Sequence, residues 1–318
     1  MAQITRIQAA SATITAALER YWGGGRILWV GNRSGLPSGD GSSPDYPLST
    51  LFGASGALAK LQGTTSRGHV IFVLSGHAES VAAADAASDT GTASHFAVVG
   101  LGRGTARPAF TWTTATSTWL FDTAGVIVDN CRLFLAGADA AGSALTVAAP
   151  ITISAAGCEL RNNTIRFGFD ADQIVTIGIT TTAAADDLVL ENNHISGDTT
   201  AECTTFLQLV GADRLRLKGN YIAGATSSVA VGIVRFATTA SLDIVSEGNT
   251  FINRKASSTA AVTGLAGVSG VSREDNFHYL DNASLTAWLT STGIMSFHRP
   301  TVVNLAGETG ATAGTVSA

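Results

Sequence analysis

The chain has little charge, few aromatic residues and almost no cysteine, and each shortage excludes something. Of its 318 residues, 14% are Asp, Glu, Lys or Arg and the formal net charge is −5, so no basic stripe is expected and nucleic acid is not an expected partner. Aromatic residues amount to 7%, which leaves few rings to act as binding platforms. Three cysteines, Cys131, Cys158 and Cys203, are too sparse for a disulfide framework or a metal site and read as reduced core residues of a protein made in a cytosol. Hydrophobic residues reach 45% and mean hydropathy +0.26, yet no run of 18 apolar residues occurs, so a membrane partner is not expected. The opening Met-Ala-Gln-Ile-Thr-Arg lacks a basic start followed by an apolar core, and no secretory signal peptide is expected. No metal and no cofactor is expected either.

What the chain does have is a phrase that returns five times, a strand-like run closing on Asn with an apolar residue two places later. It reads Leu160-Arg161-Asn162-Asn163-Thr164-Ile165, Leu190-Glu191-Asn192-Asn193-His194-Ile195 and Leu217-Lys218-Gly219-Asn220-Tyr221-Ile222, with looser copies ending at Asn249 and Asn276. Subtraction gives Asn-to-Asn steps of 30, 27, 29 and 27 residues from Asn163 to Asn276, a period that marks a solenoid. The apolar residues alternate, as in Leu188, Leu190 and Ile195 or Leu215, Leu217 and Ile222, which is strand geometry with one face buried. Helical repeats would instead need apolar spacings of three and four, and the intervening segments are Gly, Thr, Ser and Ala. The predicted fold is therefore all-β, a single-stranded parallel β-helix. Stacked coils would place equivalent side chains about 4.8 Å apart, so Asn163, Asn193, Asn220, Asn249 and Asn276 are expected to form a structural ladder of side-chain amides.

Residues 1–26 repeat nothing found later and end at Gly23-Gly24-Gly25; they form an expected N-terminal arm, whose large apolar side chains include Ile4, Ile7, Tyr21 and Trp22. A strand over 26–32 leads from the arm into residues 27–68, which also hold a Gly/Pro loop (35–47) and a short helix (50–61) that Thr50 would cap. That helix would cover the open first coil, whose unpaired edge invites aggregation. The β-helix proper is expected over 69–282, with strands at Val70 to Leu74 and Phe96 to Val99 ahead of an early, imperfect copy of the phrase at Asp129-Asn130-Cys131-Arg132-Leu133, and 283–318 form an extension ending in a flexible tail. The many Thr, Ser, Ala and Gly residues suit flat packing against further copies or a larger assembly, or equally the tight turns of a β-solenoid.

Candidates for chemistry are few. A charged residue precedes each Asn by two places, Arg161, Glu191, Lys218, Glu247 and Glu274, and is read as a solvated ladder of pairs worth under about 1 kcal/mol each. Gly100-Leu101-Gly102-Arg103-Gly104 is not followed by a helix pattern and reads as a turn. His77 and Glu79 read as a hydrogen-bonded pair fixing the first coil, since no third metal ligand stands at a recognisable spacing. Asp170 with Asp172, and Asp186 with Asp187, fall where turns begin. As sugar platforms, Trp112 and Trp119, or Tyr221 and Tyr279, are available, though isolated aromatics are more often core or interface.

Ile27-Leu28-Trp29-Val30, the loop ending Pro44-Asp45-Tyr46-Pro47-Leu48-Ser49-Thr50-Leu51, Val70 to His77 and the Asn-bearing coils together resemble the pectate-lyase-like right-handed β-helix superfamily over about residues 27–282. More narrowly, the chain looks like β-helix proteins of tailed-phage particles. The resemblance implies a right-handed coil with a short N-terminal capping helix. Enzymes of the superfamily carry calcium-binding Asp clusters with a catalytic Arg, or an Asn-Thr-Asp, Asp-Asp and Gly-His-Gly set; here Asn163-Thr164 precedes Ile165, His77 precedes Ala78, and Asp186-Asp187 stands alone. The expectation is a chain that is not an enzyme: a phage virion protein decorating or cementing the head, made in the host cytoplasm. It would bind the major capsid protein as a homo-oligomer, trimer or dimer, with Ile4, Ile7, Tyr21 and Trp22 as candidate capsid contacts. The alternative expectation is a tail fibre or tailspike that binds, and in one version cleaves, host surface polysaccharide.

Overall fold

In the computed structural model the described residues are 2–32, 39–62, 67–82, 95–138, 142–168, 170–198, 203–256, 258, 261–279, 295–298 and 301–304. The chain winds as a right-handed parallel β-helix. Each coil contributes one strand to a first sheet, one to a second and one to a third, and every pairing between named strands is parallel. Among the described residues the first sheet has ten strands, from Ile27–Val30 to Met295–His298, the second has nine, from Ala78–Val81 to Thr301–Asn304, and the third has six, from Trp119–Phe121 to Val262–Thr263. Strand pairing continues past residue 282, the expected end of the β-helix proper: Met295–His298 pairs with Gly270–Arg273 and Thr301–Asn304 with Asn276–Tyr279. These strands were missed because they carry no Asn corner. The expected tail at 307–318 lies outside the described residues.

Alternation in sequence becomes two continuous columns inside the coil. Leu28, Ile71, Val98, Val128, Leu160, Leu190 and Leu217 stack in register along the first sheet, and Phe110, Leu133, Ile165, Ile195, Ile222, Phe251 and Phe277 along the second. All are buried, and each side chain of this size stabilises by about 1.5–3 kcal/mol. A coil shares its core only with the coils above and below. Trp112 and Trp119 lie in this core, fully buried.

Two corners bound the first sheet, and both require left-handed backbone. On entry stand Asp187, Arg214 and Asp243, and on exit Asn130, Asn162, Asn192, Gly219, Gly248 and Glu274, all with φ between 54° and 63°. Asn and Gly tolerate this region best, which is the physical content of the repeated Asn-Asn and Gly-Asn dipeptides.

The N-terminal end departs from expectation. Within the expected N-terminal arm, residues 1–26, lies helix α1 (Ala2–Tyr21). The last turns of α1 place Ile14, Ala17, Leu18 and Tyr21 against Val70, Phe72, Ala97 and Val99 on the outer side of the first sheet. The predicted helix over 50–61 shrinks to α2 (Ala57–Leu61), with Gly56 rather than Thr50 before it. The reason is that the N–H groups of Leu51 and Phe52 donate to the Glu79 carboxylate, at 2.7 and 3.0 Å, and Gly53 turns the chain at φ 78°. Phe52 then plugs the open end of the coil, edge-on to Phe110 and Trp119. The first strand's free edge is covered by residues 41–48, where Trp29 donates to Gly41 O and Leu48 to Trp29 O.

Candidate functional site

The three outer faces of the coil differ in chemistry, and the corner between the first two carries the amide ladder. Asn163 Nδ2 donates to Asn193 Oδ1, Asn193 Nδ2 to Asn220 Oδ1 and Asn220 Nδ2 to Asn249 Oδ1, at 3.2, 3.0 and 2.9 Å. Each Oδ1 also accepts the backbone N–H of the preceding rung, and each Nδ2 also donates to a carbonyl one coil back. The fifth rung is corrected from Asn276 to Asp275: Asn249 Nδ2 donates to Asp275 Oδ1 at 2.9 Å, and Ser272 Oγ donates to Asp275 Oδ2 at 2.6 Å. Glu274 occupies the left-handed corner that Asn or Gly fills elsewhere, which shifts the rung by one residue and leaves Asn276 to open the next strand. At the other end Cys131 holds the rung position and gives its N–H to Asn163 Oδ1.

On the first sheet, the same one-residue shift corrects the charge ladder. In register it runs Asp129, Arg161, Glu191, Lys218, Glu247 and Arg273, with strictly alternating sign, and Glu274 is not part of it. Arg161 is nearly buried, paired with both Glu159 and Glu191, so part of this row is not solvated. The end of α1 fastens onto it: Tyr21 Oη donates to Asp129 Oδ2 at 3.0 Å, and Arg20 lies 3.8 Å from Glu191. Burial first, and the Asp129 charge second, push the Tyr21 phenol well above its ordinary value. Trp22 is 48% exposed, its Nε1 donating to Gly25 O. The backbone of Ile4 and Ile7 belongs to α1, while their side chains lie outside the described set.

The remaining sequence candidates fall at structural positions. His77 Nε2 stands 2.9 Å from Glu79 Oε2, while Nδ1 accepts the Asn32 N–H, and the pair ties loop, plug and second sheet together. Asp186 and Asp187 both bind Arg214 of the next coil, and that bond holds the Asp187 carboxyl below its ordinary range. Gly104–Ala106 forms a 3-10 turn. Asp170 and Asp172 are exposed next to the strand Gln173–Val175. Among the described residues no group of three metal-ligating side chains gathers. Among the described residues no helix is long and apolar enough to cross a membrane.

The outward row of the third sheet is Leu120, Thr152, Thr180, Gln208, Arg235 and Thr263. The second sheet is different. Its outward positions are Arg132 and Phe134, Thr164 and Arg166, His194 and Ser196, then Tyr221 and Ala223, on successive coils. Arg107 leans onto the same face, bonding Asn162 O at 2.8 Å and the Thr164 hydroxyl. Arg132 donates to Thr105 O at 2.9 Å and lies 4.6 Å above the Phe134 ring. His194 and Tyr221 stack with centroids 4.7 Å apart. Burial, then Arg107 and Arg166, hold the His194 imidazole below its ordinary value, and burial together with Arg132 lowers Arg107. Folding thus brings Arg107, Arg132 and Arg166 to one face of a chain whose formal net charge is −5. Composition gave no sign of it, and only the period-two register identifies these residues as neighbours.

No protein-family profile and no curated protein matches this chain. Among solved structures it is similar to the A-module of mannuronan C-5 epimerase AlgE6 from Azotobacter vinelandii, at 13% identity and TM-score 0.34 over 94% of this chain and 95% of that one. It is also similar to the GH136 lacto-N-biosidase from Eubacterium ramulus, at 10% identity and TM-score 0.22 over 86% of this chain and 68% of that one. The expectation that the chain is not an enzyme is corrected by this finding: both structures are of carbohydrate-active enzymes, and the exclusion of catalysis is withdrawn. Identities this low assign no activity to the chain.

Proposed function

We propose that the chain is a structural component of a bacteriophage particle, a head decoration or cement subunit that binds the major capsid protein as a homo-oligomer, with a trimer favoured. The observation supporting this reading is the form of α1. Its final turns are anchored on the coil through Ala17 and Tyr21, Ser11, Ala12 and Thr13 remain exposed, and Trp22 stands half exposed at the joint. A rigid rod with an anchored helix and an exposed indole at one end is suited to docking on a lattice, where several weak contacts act together. The test is co-sedimentation of purified chain with undecorated capsids. Full-length chain is expected to bind, and Trp22→Ala to bind at least tenfold more weakly; equal binding by the variant overturns the docking end.

A second reading, host attachment through a tail fibre or spike that binds surface polysaccharide, is favoured by one observation, the cationic and aromatic outer face of the second sheet. Immunogold labelling of particles separates the two readings. Label over heads supports decoration, and label confined to the tail tip supports attachment.

A further inference from the structure

We infer that the outer face of the first sheet, beyond α1, is a contact between two copies of this chain. The copies pack face to face with their rod axes antiparallel, about a two-fold axis that runs along the strands between the Lys218 and Glu247 rungs. This contact rests on neither the decoration nor the attachment reading, and a three-fold contact through another face of the chain is compatible with it.

Charge is the first ground. A row of strictly alternating sign, read backwards from a point between two rungs, is its own complement, and Arg161, Glu191, Lys218, Glu247 and Arg273 form such a row. With the axis between Lys218 and Glu247, Lys218 of each copy meets Glu247 of the other, and Glu191 of each meets Arg273 of the other. An axis through a rung would instead set like charge on like charge. Lys218, Glu247 and Arg273 are exposed and, among the described residues, enter no ion pair within the chain. Glu191 already holds Arg161 and would take the second cation on its open side. Pairs of this kind fix partner and register more than they hold the copies together.

Apolar surface is the second ground. The other outward row of the same sheet runs Glu159, Val189, Arg216, Val245 and Val271. The same axis sets Val189 of each copy on Val271 of the other, and Val245 on the methylene stem of Arg216. In the single chain Val245 is 38% exposed, and Leu242, at the entry corner of the same coil, 43%. Sheets stacked face to face lie about 10 Å apart, a gap that these side chains fill from both sides.

The third ground is α1, which sets the register. It lies against Val70, Phe72, Ala97 and Val99, and a helix stands about 10 Å proud of the sheet it covers. Moving the axis one rung toward the N-terminus would drive Met295–His298 of one copy into α1 of the other, and moving it one rung the other way carries Glu191 past the last described strand of this sheet. The overlap that remains, from the Arg161 rung to Met295–His298, is about 24 Å long at about 4.8 Å per coil. So short a contact lies at the small end of specific interfaces, and dissociation in the micromolar range is expected.

The experiment is sedimentation velocity on the full chain across the micromolar range. Association of the 32.4 kDa chain is expected to grow with concentration. Lys218→Glu and Glu247→Lys each set like charges together at both symmetry-related pairs, and each is expected to weaken this association at least about tenfold. Mixed in equal amounts, the two variants are expected to associate as the native chain does. In that mixed dimer the new carboxylate faces the new ammonium, while the native Lys218 and Glu247 face each other. Rescue by mixing cannot come from a change within either chain, so it reads the contact and not the fold. Arg235→Glu, on the third sheet, should change nothing, and melting temperatures report that each variant is folded. The inference is overturned if no association is seen, if either single variant associates as the native chain does, or if mixing fails to restore association.

Discussion

At the scale of single residues the ladder makes the sharpest demands, because each amide is both donor and acceptor. Asn193 receives from Asn163 and gives to Asn220 and Leu160 O. Asn193→Ala strands several buried groups at once, each costing about 1–3 kcal/mol, and is expected to lower stability by about 3 kcal/mol or more in urea melts. Asn193→Asp should be nearly as damaging, since a carboxylate there faces the Asn220 Oδ1 acceptor. Asp275 ends the row and only accepts, so Asp275→Asn is expected to cost under about 1 kcal/mol; equal losses at 193 and 275 would contradict the directional ladder. Glu274 holds a left-handed corner at φ 54°, where a residue other than Gly, Asn or Asp is disfavoured by about 1 kcal/mol. Glu274→Asn is therefore expected to raise the melting temperature. The recurring Asn made the ladder legible in sequence, and Glu274 at the last corner hid its final rung, because period alone cannot say which of two adjacent polar residues turns inward.

At the scale of elements, strands were legible and end pieces were not. The strand Val189–Glu191, preceded by Leu188, shows its alternation directly, whereas α1 mixes Thr, Ser, Ala and Ile in a pattern whose apolar stripe is too thin to predict. What makes α1 hold is its substrate: the outward positions Val70, Phe72, Ala97 and Val99 are apolar in just the coils the helix covers, and become charged from Asp129 onward. That change of outer-face polarity along the first sheet was present in sequence as the apolar runs Val70 to Val73 and Phe96–Gly100, and runs apolar on both faces call for a cover. Deleting residues 1–22 is expected to expose that patch and to produce 8-anilinonaphthalene-1-sulfonate fluorescence and self-association. Ala17→Asp should do the same with the helix still present, and a deletion that stays dark and keeps the oligomeric state of the intact chain would show the patch to be covered otherwise.

At the scale of the whole molecule, folding sorts charge between faces, so response to pH is not spread evenly around the rod. The corner pair Asp187–Arg214 is exposed, and its small contribution is lost only as pH falls through the lowered carboxyl range. The second sheet responds earlier. His194 and His278 are both held below the ordinary imidazole value, His194 by burial and then by Arg107 and Arg166, His278 by burial. A depressed imidazole means that the unfolded chain binds protons the folded chain does not, so stability rises with pH across the interval between folded and unfolded values. The interval starts at the unfolded value near 6.5 and extends downward. Melting temperature is therefore expected to fall between pH 7 and pH 5, and His194→Gln with His278→Gln should flatten that slope while leaving the pH 7 value little changed. If the slope survives in the double variant, the acid sensitivity lies in the carboxylates of the first sheet and its corners, and the second-sheet histidines play no part in it.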